Sequence, residues 1–93
     1  MILNFVDKRT EKVWKGEHSK EFPYEIQIQG RKKLRMLNNA KDVDDLKSPP
    51  GNKLEQLKGG RKGQFSIRIN DQWRICFNYD ENNATNVEIV DYH

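Results

Sequence analysis

The spacing of apolar positions changes once along this chain, and the change divides it in two. Ile26, Gly30, Leu34, Leu37 and Ala40 recur at intervals of three and four, which predicts a helix with one buried stripe. Arg31, Lys32 and Arg35 fall off that stripe and are expected to face water. Pro23 suits the first turn of this helix. Further on the period is two. Phe65, Ile67 and Ile69 alternate with Ser66 and Arg68, and Trp73, Ile75, Phe77 and Tyr79 alternate with Arg74, Cys76 and Asn78. That is the pattern of half-buried strands. The break between the regimes is SPPGN at 48–52, where two prolines and a glycine cannot continue a helix.

Shorter elements flank these. Ile2 to Val6 reads as a short strand. Asp7 is a good N-cap for a short helix through Trp14 and Lys15, Gly16 ends it, and GEHSKEF at 16–22 is a loop. Asn70 and Asp71 tolerate the positive φ of a tight hairpin, and Asp80 to Thr85 reads as a looser turn into the strand 86–92. Helices precede strands, so the expected class is α+β: an N-terminal short strand and two helices packed on one face of a small antiparallel sheet. There is no repeat and no linker, and 1–93 reads as one domain.

Composition narrows the function classes. A chain of 93 residues has a thin core and no room for a large enclosed cofactor pocket. With 34% hydrophobic residues in periodic runs, it still reads as globular rather than disordered. The net charge is only +3, but Arg31, Lys32, Lys33 and Arg35 cluster, as do Lys58, Arg61 and Lys62. Asp42, Asp44 and Asp45 form an acidic knot. Basic clusters favour polyanions or an acidic protein. The single Cys76 lies in a predicted strand and MILNFV is followed at once by charges, so a reducing cytoplasm is expected. No apolar stretch approaches the ~20 residues that span a membrane. No cofactor is expected, and two distant histidines with one cysteine give no metal-ligand spacing.

Candidate chemistry sits on the strands and at the end of the chain. Arg68 and Arg74 are expected to project from the sheet face away from the helices. The basic loop 58–63 feeds that sheet, and the chain closes on VEIVDYH. Cutting RNA without a metal requires a base for the 2′-hydroxyl, an acid for the leaving 5′-oxygen and cations for the charge of the phosphorane. A histidine such as His93 suits the proton transfers at neutral pH. Tyr92 is able to donate a hydrogen bond or stack on a base. Arg74 and Lys58 are candidates to hold the phosphate, the first as a bidentate fork and the second as a point charge. His18 reads as an ordinary surface histidine.

These residues resemble a known family. MILNFVDK, GNKLEQLKGGRKGQFSIRINDQWRICF and the closing VEIVDYH are similar to the HigB-type toxins of the RelE superfamily, from bacterial toxin–antitoxin pairs, over nearly the whole chain. The resemblance implies a RelE-like microbial ribonuclease fold and ribosome-dependent cutting of messenger RNA in the A site. It implies a HigA-like helix-turn-helix antitoxin as partner, with operator DNA reached only through that antitoxin. It carries Lys58 and Arg74 over to phosphate and transition-state charge, Asp91, Tyr92 and His93 to the proton-transfer region, and Arg61, Lys62 and Arg68 to RNA contact. One position departs. Some relatives have a histidine three residues before Lys58, where this chain has Glu55. A carboxylate accepts a proton at neutral pH but is a poor acid there, and it repels the RNA backbone. A weak enzyme is one expectation from that change. The alternatives are a gyrase-inhibiting toxin of the ParE branch, or a catalytically weak module that only binds its antitoxin.

Overall fold

The computed structural model describes residues 1–92, so the expectations for His93 lie outside the described residues. The elements run α1 (Lys8–Lys15), α2 (Tyr24–Asn39), β1 (Glu55–Gln56), β2 (Gln64–Arg68), β3 (Trp73–Asp80) and β4 (Asn83–Asp91). The strands form one antiparallel sheet in the order β1-β2-β3-β4. Both helices pack on one face of it around Val13, Ile26, Leu34, Leu37, Ile67, Ile75, Phe77 and Ile89. The expected α+β architecture is the one observed.

Local chemistry accounts for the ends of the helices. Asp7 caps α1 by accepting from the Thr10 amide at 2.9 Å, and Gly16 ends it at φ +80°. Partial burial pulls the Asp7 carboxyl upward, but the Thr10 hydrogen bonds and Arg9 outweigh this and hold it below its ordinary value. Pro23 is the residue before the first turn of α2 rather than a member of it. Every position of the α2 stripe is buried. At Gly30 a Cβ would stand 3.5 Å from both Ile69 and Ile89, so the helix lies close on the sheet.

The opening segment does not form a regular strand. It runs parallel to β4 through two isolated bridges, Ile2 to Ala84 and Phe5 to Val87. The reason lies in β4, where the register with β3 shifts between Cys76 and Asn78 and Asn86 takes φ +52°. That irregularity breaks the ladder on both sides of β4. The Asn4 side chain bridges the gap by accepting from the Asn86 amide at 2.7 Å.

The two hairpin turns exchange the expected roles. At the β3–β4 turn, Asp80 pairs with Asn83, and Glu81 and Asn82 both have positive φ. This is the tight two-residue turn whose twist matches the strands. Asn70 and Asp71 are not in the positive-φ region. Their turn is closed instead by the Asn70 Oδ1, which accepts from the Gln72 and Trp73 amides at 2.8 Å each. An Asn side chain that stands in for backbone needs no left-handed residue.

After α2 the chain makes two short 3-10 turns, Val43–Lys47 and Pro50–Asn52. Asn52 is buried and ties them together, donating to the Leu46 carbonyl at 3.1 Å and accepting from Lys33 Nζ at 2.5 Å. Burial, followed by the nearby Arg68, lowers the Lys33 ammonium below its usual range. Lys53 then turns the chain at φ +43° into β1, which lies along the edge of β2.

Candidate active site on the outer face of the sheet

Strand alternation places Ile67, Trp73, Ile75 and Phe77 toward the helices and Ser66, Arg68, Arg74 and Cys76 on the outer face. Arg68 and Arg74 are direct partners in the β2–β3 register, as expected. Arg74 is not an open surface arginine, however. It is only 7% exposed. Its side chain leans across β2 toward β1. Nε donates to Ser66 Oγ at 2.8 Å, one terminal nitrogen donates to the Lys53 carbonyl at 2.5 Å, and the other lies 3.5 Å from Glu55 Oε1. The Tyr92 ring stands with its centroid 5.4 Å from Arg74 Cζ. A guanidinium buried this far needs its donors satisfied, and Ser66 with the Lys53 carbonyl supplies that.

The register explains how Glu55 reaches it. Glu55 pairs with Ser66, Ser66 with Cys76, and Cys76 with Glu88, which makes one row across the outer face. Arg61 closes the far end of the row by donating to Glu88 at 3.2 Å and to Gln64 at 3.0 Å. Cys76 lies buried between the two ion pairs. Burial pushes its thiol above the ordinary value, with Glu88 adding to the rise and Arg61 and Arg74 opposing it. It is a packed residue rather than a nucleophile.

The other expected site residues divide. Arg68 shares the face but is paired with Asp71. Lys58 and Lys62 are exposed around the Gly59–Arg61 turn, and no hydrogen bond or ion pair joins Lys58 to Arg74. Asp91 and Tyr92 part company. Asp91 pairs in register with Trp73, on the helix side, and accepts from Gln72 Nε2 at 3.1 Å. Tyr92 falls on the Arg74 side, fixed by its amide donating to the Gln72 carbonyl at 2.6 Å. The outer face thus brings together Arg74, Glu55, Tyr92 and Ser66, with Arg61 and Arg68 beside them.

Sequence reasoning missed Ser66, Gln72 and the Lys53 carbonyl. Ser66 carried one usable signal: it occupies the outer parity of β2, two residues from Arg68, the register partner of Arg74. Nothing in the sequence marks the other two.

Comparison with known proteins gives this arrangement its context. A family profile described as the RelE-like toxin of type II toxin-antitoxin system HigB matches residues 3–93. The chain is 37% identical over 87 residues to Toxin HigB-1 of Vibrio cholerae, covering 92% of each. It is 33% identical over 61 residues to Endoribonuclease HigB of Proteus vulgaris, covering 66% of this chain and 65% of that one. In fold it is similar to the crystal structure of a heterotetrameric YoeB–YefM toxin–antitoxin complex from Staphylococcus aureus. The TM-score there is 0.63 at 17% identity, covering 100% of this chain and 98% of that one. The profile match takes in the opening segment, the row from Glu55 to Glu88 and the closing residues, so it spans every part that builds the outer face. The chain belongs to the HigB family of RelE-like toxins from type II toxin–antitoxin systems.

Proposed function

We propose that this toxin is a ribosome-dependent endoribonuclease that cuts messenger RNA in the A site, halts translation, and is neutralised by a HigA-like helix-turn-helix antitoxin. The observation that carries the reading is Arg74. It is held in one orientation by Ser66 and the Lys53 carbonyl, on the face where Tyr92 lies. In the reaction the 2′-oxygen attacks phosphorus as a base removes its proton. The bond to the 5′-oxygen breaks as an acid protonates that oxygen, leaving a 2′,3′-cyclic phosphate. Arg74 meets the charge that gathers on the phosphorane, and a guanidinium already oriented needs little reorganisation to do so. Tyr92 supports a flanking base by stacking. His93 supplies the imidazole, and Lys58 adds an exposed cation near the turn at Gly59. A chain of 93 residues has little room to build a deep substrate cleft, so the ribosome acts as the missing wall and positions the strand, a contribution worth ~7–11 kcal/mol of a barrier when complete.

The test is to induce the toxin without its antitoxin and map RNA ends. Cuts within translated reading frames, lost when ribosomes are blocked from initiating, are the expected result. Intact transcripts with gyrase-linked DNA breaks would assign the protein to the ParE-like alternative, and neither effect would leave only antitoxin binding.

Glu55 opposes this activity. Its carboxylate already occupies the Arg74 nitrogen nearest β1, so an incoming phosphate must displace it. Glu55 is half exposed, and such pairs contribute up to ~1 kcal/mol, which corresponds to roughly fivefold in rate. Glu55→Gln is expected to raise single-turnover cleavage on programmed ribosomes by that amount. Glu55→His should raise it further, because it adds a group that titrates near neutrality. A fall in both variants would make Glu55 the general base or an essential support for Arg74.

A further inference from the structure

The chain has six arginines, and four of them meet a carboxylate: Arg9 with Asp7, Arg61 with Glu88, Arg68 with Asp71 and Arg74 with Glu55. Arg31 and Arg35 have no such partner among the described residues. They stand one turn apart on α2 and line the same cavity. Arg31 also differs from the sequence expectation that it faces water. It is half-buried, and its Nε is a buried donor without an acceptor among the described residues. Its guanidinium lies so close over Gly16 that a Cβ there would stand 2.9 Å from Cζ.

The cavity, about 360 Å³, lies between the end of α1 and the outward face of α2. Val13, Tyr24 and Ile28 give it apolar walls, Arg31, Lys32 and Arg35 give it charge, and Glu17 is the one acidic side chain that lines it. Tyr24 and Ile28 are among the large hydrophobic side chains the chain leaves exposed, at 72% and 43%. On α2 the positions 24, 28, 31 and 35 share a face separate from the stripe that packs on the sheet. This second stripe is apolar at its start and cationic at its end.

We propose that the groove is the docking site for an acidic amphipathic segment of the antitoxin, an inference that rests on the antitoxin partner proposed above. Apolar side chains of the segment seat against the exposed Tyr24 and Ile28, and its carboxylates pair with Arg31, Lys32 and Arg35. Charge complementarity selects the occupant, because Arg31 and Arg35 are the two arginines that meet no acid among the described residues. The apolar walls favour a protein over RNA. An RNA strand would use the cations but has no aliphatic groups to place on Ile28. Anchors at such spacing on one helix face are those of helix or peptide recognition in a groove.

The experiment is a titration of the purified cognate antitoxin against wild type, Ile28→Asp, Arg35→Glu and Lys41→Glu. Ile28 and Arg35 are exposed, so these variants should melt and cleave RNA as wild type does; Arg31→Glu is left as a further variant because Arg31 packs on Gly16. Expected is a loss of roughly tenfold or more in affinity for Ile28→Asp and Arg35→Glu, the scale of an interface anchor, with no change for Lys41→Glu. If wild type binds and both groove variants bind as tightly, the groove assignment is wrong while the antitoxin reading stands. If wild type does not bind, the two fall together. If antitoxin affinity is unchanged but both variants release a single-stranded RNA 20-mer, the groove is an RNA surface and the proposal is overturned.

Discussion

Arg74→Ala is expected to lower cleavage on programmed ribosomes by about 10²–10³, the loss seen when one preorganised charge donor is removed from a transition-state site. The size follows from the surroundings of this arginine. Ser66 and the Lys53 carbonyl fix two of its edges at 2.8 and 2.5 Å, so its charge is delivered at one place on the outer face. The same contacts give the variant a structural cost, since Ser66 and Glu55 lose their partner in a partly buried setting. Arg74→Lys separates the two effects. Lysine keeps the charge but loses the planar fork, so it should recover part of the activity and little of the Ser66 and Lys53 bonding. Melting curves recorded with the rates complete the test. A folded Arg74→Ala protein that cleaves at the wild-type rate would remove Arg74 from the mechanism.

The strands and helices were legible because burial imposes a period, and the period survives in the sequence. Ile67, Ile75 and Phe77 could be assigned to the core face by alternation alone, as could Ile26, Leu34 and Leu37 by helical spacing. The turns were less legible. Glu81 carries no sequence mark of positive φ, whereas Asn70 and Asp71 look suited to it, yet Asn70 closes its turn through its side chain. The site was legible in its residue types and hidden in its contacts. Period two put Arg68 and Arg74 on one face correctly, but it also implied an open face. The cover over Arg74 comes from β1, a strand of two residues, too short to show any alternation. Its position depends on the turn at Lys53 and on pairing with Ser66, and neither is written in local composition. Arg31 illustrates the same limit on α2, where helical phase predicts exposure but Gly16 of another helix gives its guanidinium a place to lie.

Removing His93, or replacing it with Ala, is expected to reduce cleavage by about 10²–10⁴, the contribution of a positioned general acid or base. The argument begins with the residue before it. Tyr92 stands on the Arg74 side with its ring centroid 5.4 Å from the guanidinium carbon, and His93 is the next residue in the sequence. An imidazole titrates near pH ~6.5 in the absence of perturbation, which suits it to take the 2′-proton or supply the 5′-proton at neutral pH. Folding should be spared. The end of β4 is held without the last residue, through Gln72, which donates to Asp91 and accepts from the Tyr92 amide. Two readouts distinguish catalysis from a structural role. If the imidazole is the base, the wild-type rate rises with pH through its pKa, and that limb of the profile disappears in His93→Ala. Added imidazole should restore part of the variant's activity and leave Arg74→Ala unchanged. Full toxicity in the chain lacking His93 would mean that protons move through other groups, with Glu55 the first to examine because it already touches Arg74.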